Sequence, residues 1–184
     1  MNKSLFFTLT VILTSLGISA QKKVLNLDSL KKMAKLNAMN KGSIAPPLKG
    51  KLYQDNINNY SVNFEGKISV LDFWFMNCLP CQKSIPYMDS LKDKYEKEGV
   101  QFFAVNYDDN NDKALQKFPE FIKEQYLNSN IILINIDIEA NFHVTSFPTF
   151  FVIDQEGKVC YCITGFYPYV FKEIASTIDK LMNK

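Results

Sequence analysis

The chain has 184 residues, of which 47% are hydrophobic and 22% charged, and its formal net charge is +2. This length suits one domain, and the composition is ordinary for a folded α/β protein, which excludes the disordered and collagen-like classes. All 21 basic residues are lysines, interspersed with 19 acidic residues. Because arginine and basic blocks are absent from the sequence, we expect no nucleic-acid binding.

The first twenty residues have the pattern of a secretory signal. Lys3 supplies a positive start, residues 5–16 are apolar except for threonine and serine, and residues 17–20 end in small side chains. An apolar run of about 12–14 residues is shorter than the roughly 20 needed to span a bilayer, which favours cleavage over an uncleaved membrane anchor. We therefore expect residues 1–20 to be a signal peptide. The mature protein would be soluble and periplasmic or secreted, where cysteine pairs can form disulfides.

Strand and helix patterns alternate in the rest of the chain. Residues 21–42 predict a helical extension or a spacer, with Asp28 or Ser29 able to cap a short helix, and the main domain is expected at 43–184. An extended stretch is predicted from 45 to 60. Buried strands and a late hairpin are then expected at 68–75, 100–107, 131–136, 149–154 and 158–164.

Helical spacing of apolar residues predicts further segments between these strands. They are a helix that follows Cys78 and ends near Gly99, a helix at 111–126, a short helix within 138–144 and a last helix at about 168–182. Pro119 predicts a break or kink inside the second of these. Strands that alternate with helices and end in a hairpin indicate a mixed three-layer α/β sheet.

The motif Cys78-Leu79-Pro80-Cys81 follows a predicted strand directly and should begin the next helix. Unpaired N–H groups and the helix dipole stabilise an anion there, which favours the thiolate that attacks disulfides. Cys81, one turn further into the helix, is less accessible and can resolve a mixed disulfide by attacking Cys78. A structural disulfide or half of a zinc site remains the alternative for the motif alone. Zinc would need two more ligands, and the chain offers one histidine and a distant Cys-x-Cys.

Several motifs together make the sequence resemble the thioredoxins. They are Asp72-Phe73-Trp74 before the cysteines, the Cys-x-Pro-Cys motif itself, Pro86 in the following helix, Phe147-Pro148-Thr149 before a strand, and Gly165 before the last helix. Residues 108–135 form a central insertion relative to a minimal thioredoxin. This insertion, the export signal and the Gly66-Lys67 lead-in resemble the TlpA/ResA-like extracytoplasmic branch. Asn77 departs from the pattern, since the family usually has an aromatic residue before the first cysteine.

The resemblance implies a thioredoxin-like mixed sheet flanked by helices, with an N-terminal extension and the central insertion. It implies thiol–disulfide oxidoreductase activity, in the reducing or exchanging direction, through Cys78 and Cys81. Asp72 would lie beneath this pair and shuttle a proton for Cys81, because a carboxyl buried in a strand should have a raised pKa suited to that task.

The resemblance also implies a substrate groove. Pro148, if its peptide bond is cis, would present a backbone edge opposite Cys78 for an extended substrate segment. Phe147 and Thr149 would border the groove, and Trp74 completes the expected substrate-binding set. The implied partners are disulfide-bearing exported proteins and a membrane electron donor, and neither a cofactor nor a metal is expected.

Two weaker features leave alternatives open. Cys160 and Cys162 alternate on a predicted strand and so should point to the same face, either packed as small apolar residues or paired by a disulfide, which would need a bulge. His143 could lie near the cleft, although a lone histidine in a turn is usually solvated or bonded to backbone.

Two other functions compete with oxidoreductase activity. The first is metal delivery, such as copper binding by the two cysteines and His143, but copper-binding relatives have three residues between the cysteines, whereas this chain has two. The second is a thiol peroxidase, which would use a Thr-x-x-Cys site that is not found here.

Overall fold

The computed structural model describes residues 41–53, 55, 57–106, 112–125, 130–134 and 141–184. The predicted signal peptide at 1–20 and nearly all of the predicted extension at 21–42 lie outside these residues. Within the described part of the chain, no helix is both long enough and apolar enough to cross a membrane.

Seven strands form a single mixed sheet, in the order β2-β1-β5-β4-β3-β6-β7. Their bounds are β1 Leu48–Leu52, β2 Ile57–Val62, β3 Ser69–Trp74, β4 Gln101–Asn106, β5 Asn130–Ile134, β6 Thr149–Ile153 and β7 Val159–Thr164. Strands β3, β4 and β5 are parallel to one another, and the remaining pairs are antiparallel. The predicted mixed sheet is confirmed.

Three described helices pack on the sheet. They are α1 (Leu79–Tyr95), which continues into a 3-10 turn at Glu96–Glu98, α2 (Asp112–Gln125) and α3 (Val170–Met182). Because side chains alternate along a strand, Val70 and Trp74 of β3 face the same side. Val70 packs there in one cluster with residues of α1 and α3, and Trp74 packs with Phe118 of α2.

The other side of the sheet has its own aromatic core. Phe73 of β3 packs against Phe142 and Phe151, with ring centroids 5.2 and 5.5 Å apart. Asn141 and Phe142 are helical, whereas Val144 lies beyond that turn, so the short helix predicted within 138–144 ends earlier than expected. Residues 138–140 of that prediction lie outside the described chain.

The segment predicted as an insertion is part of the sheet. Residues 108–135 contain α2 and β5, and β5 pairs with β1 on one side and β4 on the other. The stretch predicted as extended from 45 to 60 contains β1 and most of β2, and the two strands pair as an antiparallel hairpin. Of the break or kink predicted at Pro119, the break is wrong, because α2 is continuous through this residue. Phe118 and Ile122, on either side of the proline, both pack against Trp74 and stabilise the helix.

Candidate active site

Cys78 and Cys81 form a disulfide at the N-terminus of α1, with their Cα atoms 5.2 Å apart. Cys78 is the N-cap residue, and its Sγ accepts a hydrogen bond from the backbone N–H of Cys81 at 3.2 Å. The first turn of α1 contains no acidic residue. The positive end of the helix dipole therefore acts on the Cys78 sulfur without an opposing charge in that turn. The predicted helix start at the cysteine pair is confirmed.

The loop between β3 and α1 is fixed by local hydrogen bonds. The backbone N–H of Cys78 donates to the carbonyl of Phe75 at 3.1 Å, and the side-chain amide of Gln82 donates to the carbonyl of Met76 at 2.7 Å. Pro80 lies in the first turn of α1, where its missing N–H costs no helical hydrogen bond. The sequence thus turns sharply from strand to helix and holds both cysteines at one end of the sheet.

The two cysteines differ only slightly in exposure. Cys81 is completely buried, whereas Cys78 keeps 4% of its surface accessible. Leu79, which follows Cys78 in the chain, is in contrast 67% exposed. Leu79 is therefore available to contact a partner that approaches the pair.

Asp72 lies in the middle of β3, between Ala104 of β4 and Phe150 of β6. It is buried, and its Oδ1 has no hydrogen-bond partner among the described residues. Burial, together with the nearby charge of Asp89, raises the pKa of Asp72 to about 8. A carboxyl with such a pKa can both accept and release a proton near neutral pH.

A small cavity of about 20 Å³ adjoins Asp72. It is lined by Asp72, Met88, Asp89, Lys92, Phe102, Phe103 and Ala104. Asp89 and Lys92 come from α1, and sequence reasoning did not single out either of them as a site residue. A sequence signal did exist, because Lys92 lies four residues after buried Met88 and seven after buried Ile85, on the face that should be apolar.

The loop before β6 lies next to the cysteine pair. The Phe147–Pro148 peptide bond is cis, and the carbonyl of Pro148 accepts a hydrogen bond from the backbone N–H of Gly165 at 2.7 Å. Phe147 is half-buried, and its ring meets the ring of Phe75 edge-on at 5.3 Å. Phe147 also packs against the cluster that contains Cys78 and Cys81.

Two members of the expected substrate-binding set are inaccessible. Trp74 is completely buried and stacks on Phe118 and Phe121 of α2. Thr149 is also completely buried, with its hydroxyl bonded to the carbonyl of Ser146 and to the hydroxyl of Thr164. Both side chains are thus buried in this oxidised form, beside the cysteine pair in the case of Trp74 and in the loop before β6 in the case of Thr149.

Cys160 and Cys162 are free thiols, and the prediction that they share a face is wrong. The register of β7 shifts between Tyr161 and Val159, so Cys160 is the extra residue of a bulge. Cys160 consequently packs with the core beneath α1 and α3, whereas Cys162 packs with the opposite core. Burial raises the pKa of Cys162 to about 12, and burial with the neighbouring Asp154 raises that of Cys160.

His143 is exposed and has a positive φ of 54°. Among the described residues, no three histidine, cysteine or acidic side chains are grouped as metal ligands would be.

Comparison with known proteins gives consistent matches. The Redoxin family model matches residues 40–175. The thiol-disulfide oxidoreductase ResA of Bacillus thuringiensis subsp. konkukian is 36% identical over 104 residues, which are 56% of this chain and 58% of that protein. The match thus spans less than two thirds of this relative.

Solved structures match over more of the chain. A crystal structure of a proposed thiol:disulfide interchange protein DsbE from Chlorobium tepidum has a TM-score of 0.67 and 25% identity, covering 78% of this chain and 99% of that one. The thioredoxin domain of a thiol-disulfide oxidoreductase from Bacteroides vulgatus has a TM-score of 0.62 and 23% identity, covering 75% of this chain and 97% of that domain. The thioredoxin-like fold expected from the sequence motifs is confirmed.

Proposed function

Because this chain belongs to the Redoxin family, we propose that it is a thiol–disulfide oxidoreductase that reduces or exchanges protein disulfides through Cys78 and Cys81. The observation that carries the proposal is the disulfide at the start of α1, where Cys78 caps the helix and is next to exposed Leu79. A sulfur at this position is stabilised as a thiolate, which is the form that attacks disulfides.

In the proposed reaction, the Cys78 thiolate attacks one sulfur of a substrate disulfide. A mixed disulfide forms, and the other substrate sulfur leaves as a thiolate that takes a proton from solvent. The Cys81 thiol then loses its proton to the Asp72 carboxylate and attacks the Cys78 sulfur, which releases the second substrate thiolate. The substrate gains two electrons, and the Cys78–Cys81 pair loses them.

Asp72 is the proposed proton acceptor because it is a buried carboxyl on the face of β3 that α1 covers. Trp74, two residues further along the same face, packs in one cluster with Cys78 and Cys81. We assign Trp74 to shaping this pocket, since it is completely buried.

Phe147 and Pro148 are proposed to border the substrate groove. The support for this role is the packing of Phe147 against Phe75 and against the cysteine cluster. Thr149 is assigned to holding the loop, because its hydroxyl bonds the carbonyl of Ser146 within the loop and the hydroxyl of Thr164 on β7.

We propose that the protein acts outside the cytoplasm, periplasmic or secreted, after removal of residues 1–20. The signal-like pattern of those residues supports this location. The proposed substrates are disulfide-bearing exported proteins, and a membrane electron donor would restore the dithiol. The domain at 43–184 is likewise proposed, with support from Gly42 and Ser43, which exchange backbone hydrogen bonds with Val159. Mass spectrometry of the exported protein should find a chain that begins at Gln21.

Insulin reduction tests the activity directly. With dithiothreitol as electron source, the purified mature protein should accelerate the precipitation of insulin chains. The Cys78→Ser variant should lose this activity, while Cys162→Ser, which removes a half-buried free thiol of β7, should keep it. An undiminished rate in Cys78→Ser would exclude Cys78 as the nucleophile.

A further inference from the structure

Asp72 is enclosed on every side that the described structure shows. β4 and β6 flank it within the sheet, α1 covers it, and its Oδ1 has no hydrogen-bond partner. A buried polar atom without a partner calls for a physical explanation. If Asp72 takes a proton from Cys81 in every turnover, that proton must also leave this enclosed position.

The cavity beside Asp72 provides a route. Its volume of about 20 Å³ is enough for one water molecule, which needs roughly 10–15 Å³. Besides Asp72, the polar groups that line it are Asp89 and Lys92 of α1, and the other lining residues are uncharged. Asp72, Asp89 and Lys92 thus supply the polar groups that a buried water requires.

Asp89 connects the cavity with the surface. Its side chain is half-buried, in contrast to the buried Asp72 and Lys92. Burial raises the pKa of Asp89, and the charge of Lys92 lowers it. Lys92 itself pairs with half-exposed Glu96 at 3.8 Å, which holds the lysine along this face of α1.

We propose that Asp89 is the proton outlet of Asp72. The proton passes from the Asp72 carboxyl to a water in the cavity, the water gives up a proton to the Asp89 carboxylate, and Asp89 releases it to solvent. The charge of Lys92 favours the ionised form of Asp89, which can accept the proton. No sulfur bond changes in this step, and the path runs in reverse when Cys81 regains its proton during reduction. The inference rests on the proposed oxidoreductase function.

Whether removal of Asp89 slows or accelerates the resolving step distinguishes a proton outlet from a purely electrostatic role of this residue. The charge of Asp89 contributes to the raised pKa of Asp72. Removing that charge would lower the pKa and increase the carboxylate fraction of Asp72 at neutral pH. If Asp89 acted only by its charge, its removal would leave the resolving step unchanged or make it faster. An outlet predicts the opposite, a slower step.

The test compares Asp89→Ala with Asp93→Ala, which removes the same charge from an exposed position on the same helix. Reduced protein is mixed with insulin, quenched with acid at intervals and analysed by mass spectrometry, which separates the mixed disulfide from the Cys78–Cys81 disulfide. We expect mixed-disulfide formation to be unchanged in Asp89→Ala. The resolving step at pH 7 should slow by roughly 10-fold, less than the about 100-fold minimum typical of a group that transfers the proton directly.

Added formate should restore the resolving rate of Asp89→Ala, because a small acid can enter the enlarged cavity and carry the proton. It should not affect the wild type or Asp93→Ala. If Asp89→Ala does not fold, Asp89→Asn replaces it in the test, because it keeps the side-chain volume. Its resolving step should be slowed in the same way. Equal resolving rates and pH profiles in the Asp89 and Asp93 variants would overturn the outlet, and so would a loss that formate does not restore. A wild type that fails to react with insulin would instead refute the proposed function.

Discussion

The sulfur of Cys78 and the backbone N–H of Cys81 are joined by a hydrogen bond of 3.2 Å across the first turn of α1. Cys78 therefore occupies the position that an N-cap oxygen takes in other helices. The same interaction remains available to a Cys78 thiolate in the reduced protein, where a negative sulfur would accept it more strongly.

An added negative charge at Leu79 should make Cys78 less reactive. Leu79 is 67% exposed, so a polar side chain is tolerated there, and an aspartate would oppose the thiolate in the first helical turn. We expect Leu79→Asp to slow alkylation of Cys78 by iodoacetamide about 2- to 5-fold at pH 6, since a charge near a helix terminus contributes about 0.3–1 kcal/mol. Leu79→Asn is the matched neutral control. Both are measured with Cys81→Ser in the background, and equal rates would contradict the role of the helix start.

The Cys81→Ser variant should accumulate mixed disulfides between Cys78 and its substrates. The attacking sulfur survives in this variant, whereas the sulfur that would release the substrate is gone. Non-reducing gels of a cell extract should show adducts that dithiothreitol dissolves. Cys78→Ser is the control. If it trapped as many partners as Cys81→Ser, the roles of the two cysteines would have to be exchanged.

Asp72→Asn should remove a pH dependence of stability from the oxidised protein. The pKa of Asp72 is raised from 3.8 to about 8 in the fold, mainly by burial. Between these two pH values the folded state binds a proton that the unfolded state has released, so stability decreases as the pH rises. Each unit of pKa shift corresponds to about 1.36 kcal/mol. The free energy of unfolding of the wild type should therefore decrease by several kcal/mol between pH 4 and pH 8, whereas that of the variant should not.

Urea unfolding over that pH range measures this difference. Asp93→Asn, at an exposed position of α1, serves as control and should keep the slope of the wild type. A wild type and an Asp72→Asn variant with parallel pH profiles would show that the carboxyl is not held in its protonated form.

Gly165→Ala should destabilise the protein more than Gly157→Ala does. Both glycines have positive φ, 97° and 75°, and a left-handed conformation costs other residues about 1–2 kcal/mol. An added Cβ at Gly157 meets nothing within 4 Å, whereas one at Gly165 would lie 2.9 Å from the ring of Tyr167. We expect an additional loss of roughly 1–3 kcal/mol at Gly165 from this overpacking.

Denaturant midpoints of the two glycine variants give the comparison. Tyr167→Ala in combination with Gly165→Ala should restore part of the lost stability, since it removes the ring but not the backbone cost. Because the N–H of Gly165 bonds the carbonyl of Pro148, Gly165→Ala should also reduce insulin turnover. Equal stabilities of the two single variants would show that the Tyr167 ring moves aside at no cost.

Local patterns predicted the parts of the structure that depend on neighbouring residues. The apolar run around Asp72 indicated a strand buried on both faces, and β3 is buried along its whole length. Pro80 and the two cysteines indicated a helix start, because proline is suited to a first turn and a cap residue must precede it. The strand and the helix start together placed the cysteine pair at the C-terminal end of β3, with Asp72 inside that strand.

Features that depend on contacts between distant segments could not be predicted in this way. Lys92 of α1 is buried beside the cavity that adjoins Asp72, although a lysine is usually exposed. The alternation of Cys160 and Cys162 presumed a regular strand, and one extra residue in β7 reverses the side to which Cys160 points. Pairing of β5 between β1 and β4 likewise depends on strands that are far apart in sequence.

The bulge at Cys160 also determines how many electrons one molecule can exchange. Four cysteines could in principle form two disulfides, but Cys160 and Cys162 pack in cores on opposite sides of the sheet and cannot pair within the chain. Only the Cys78–Cys81 pair remains, so each chain carries a single two-electron couple. Titration against a glutathione or dithiothreitol buffer should give one Nernstian transition of two electrons, with the number of the other thiols constant throughout.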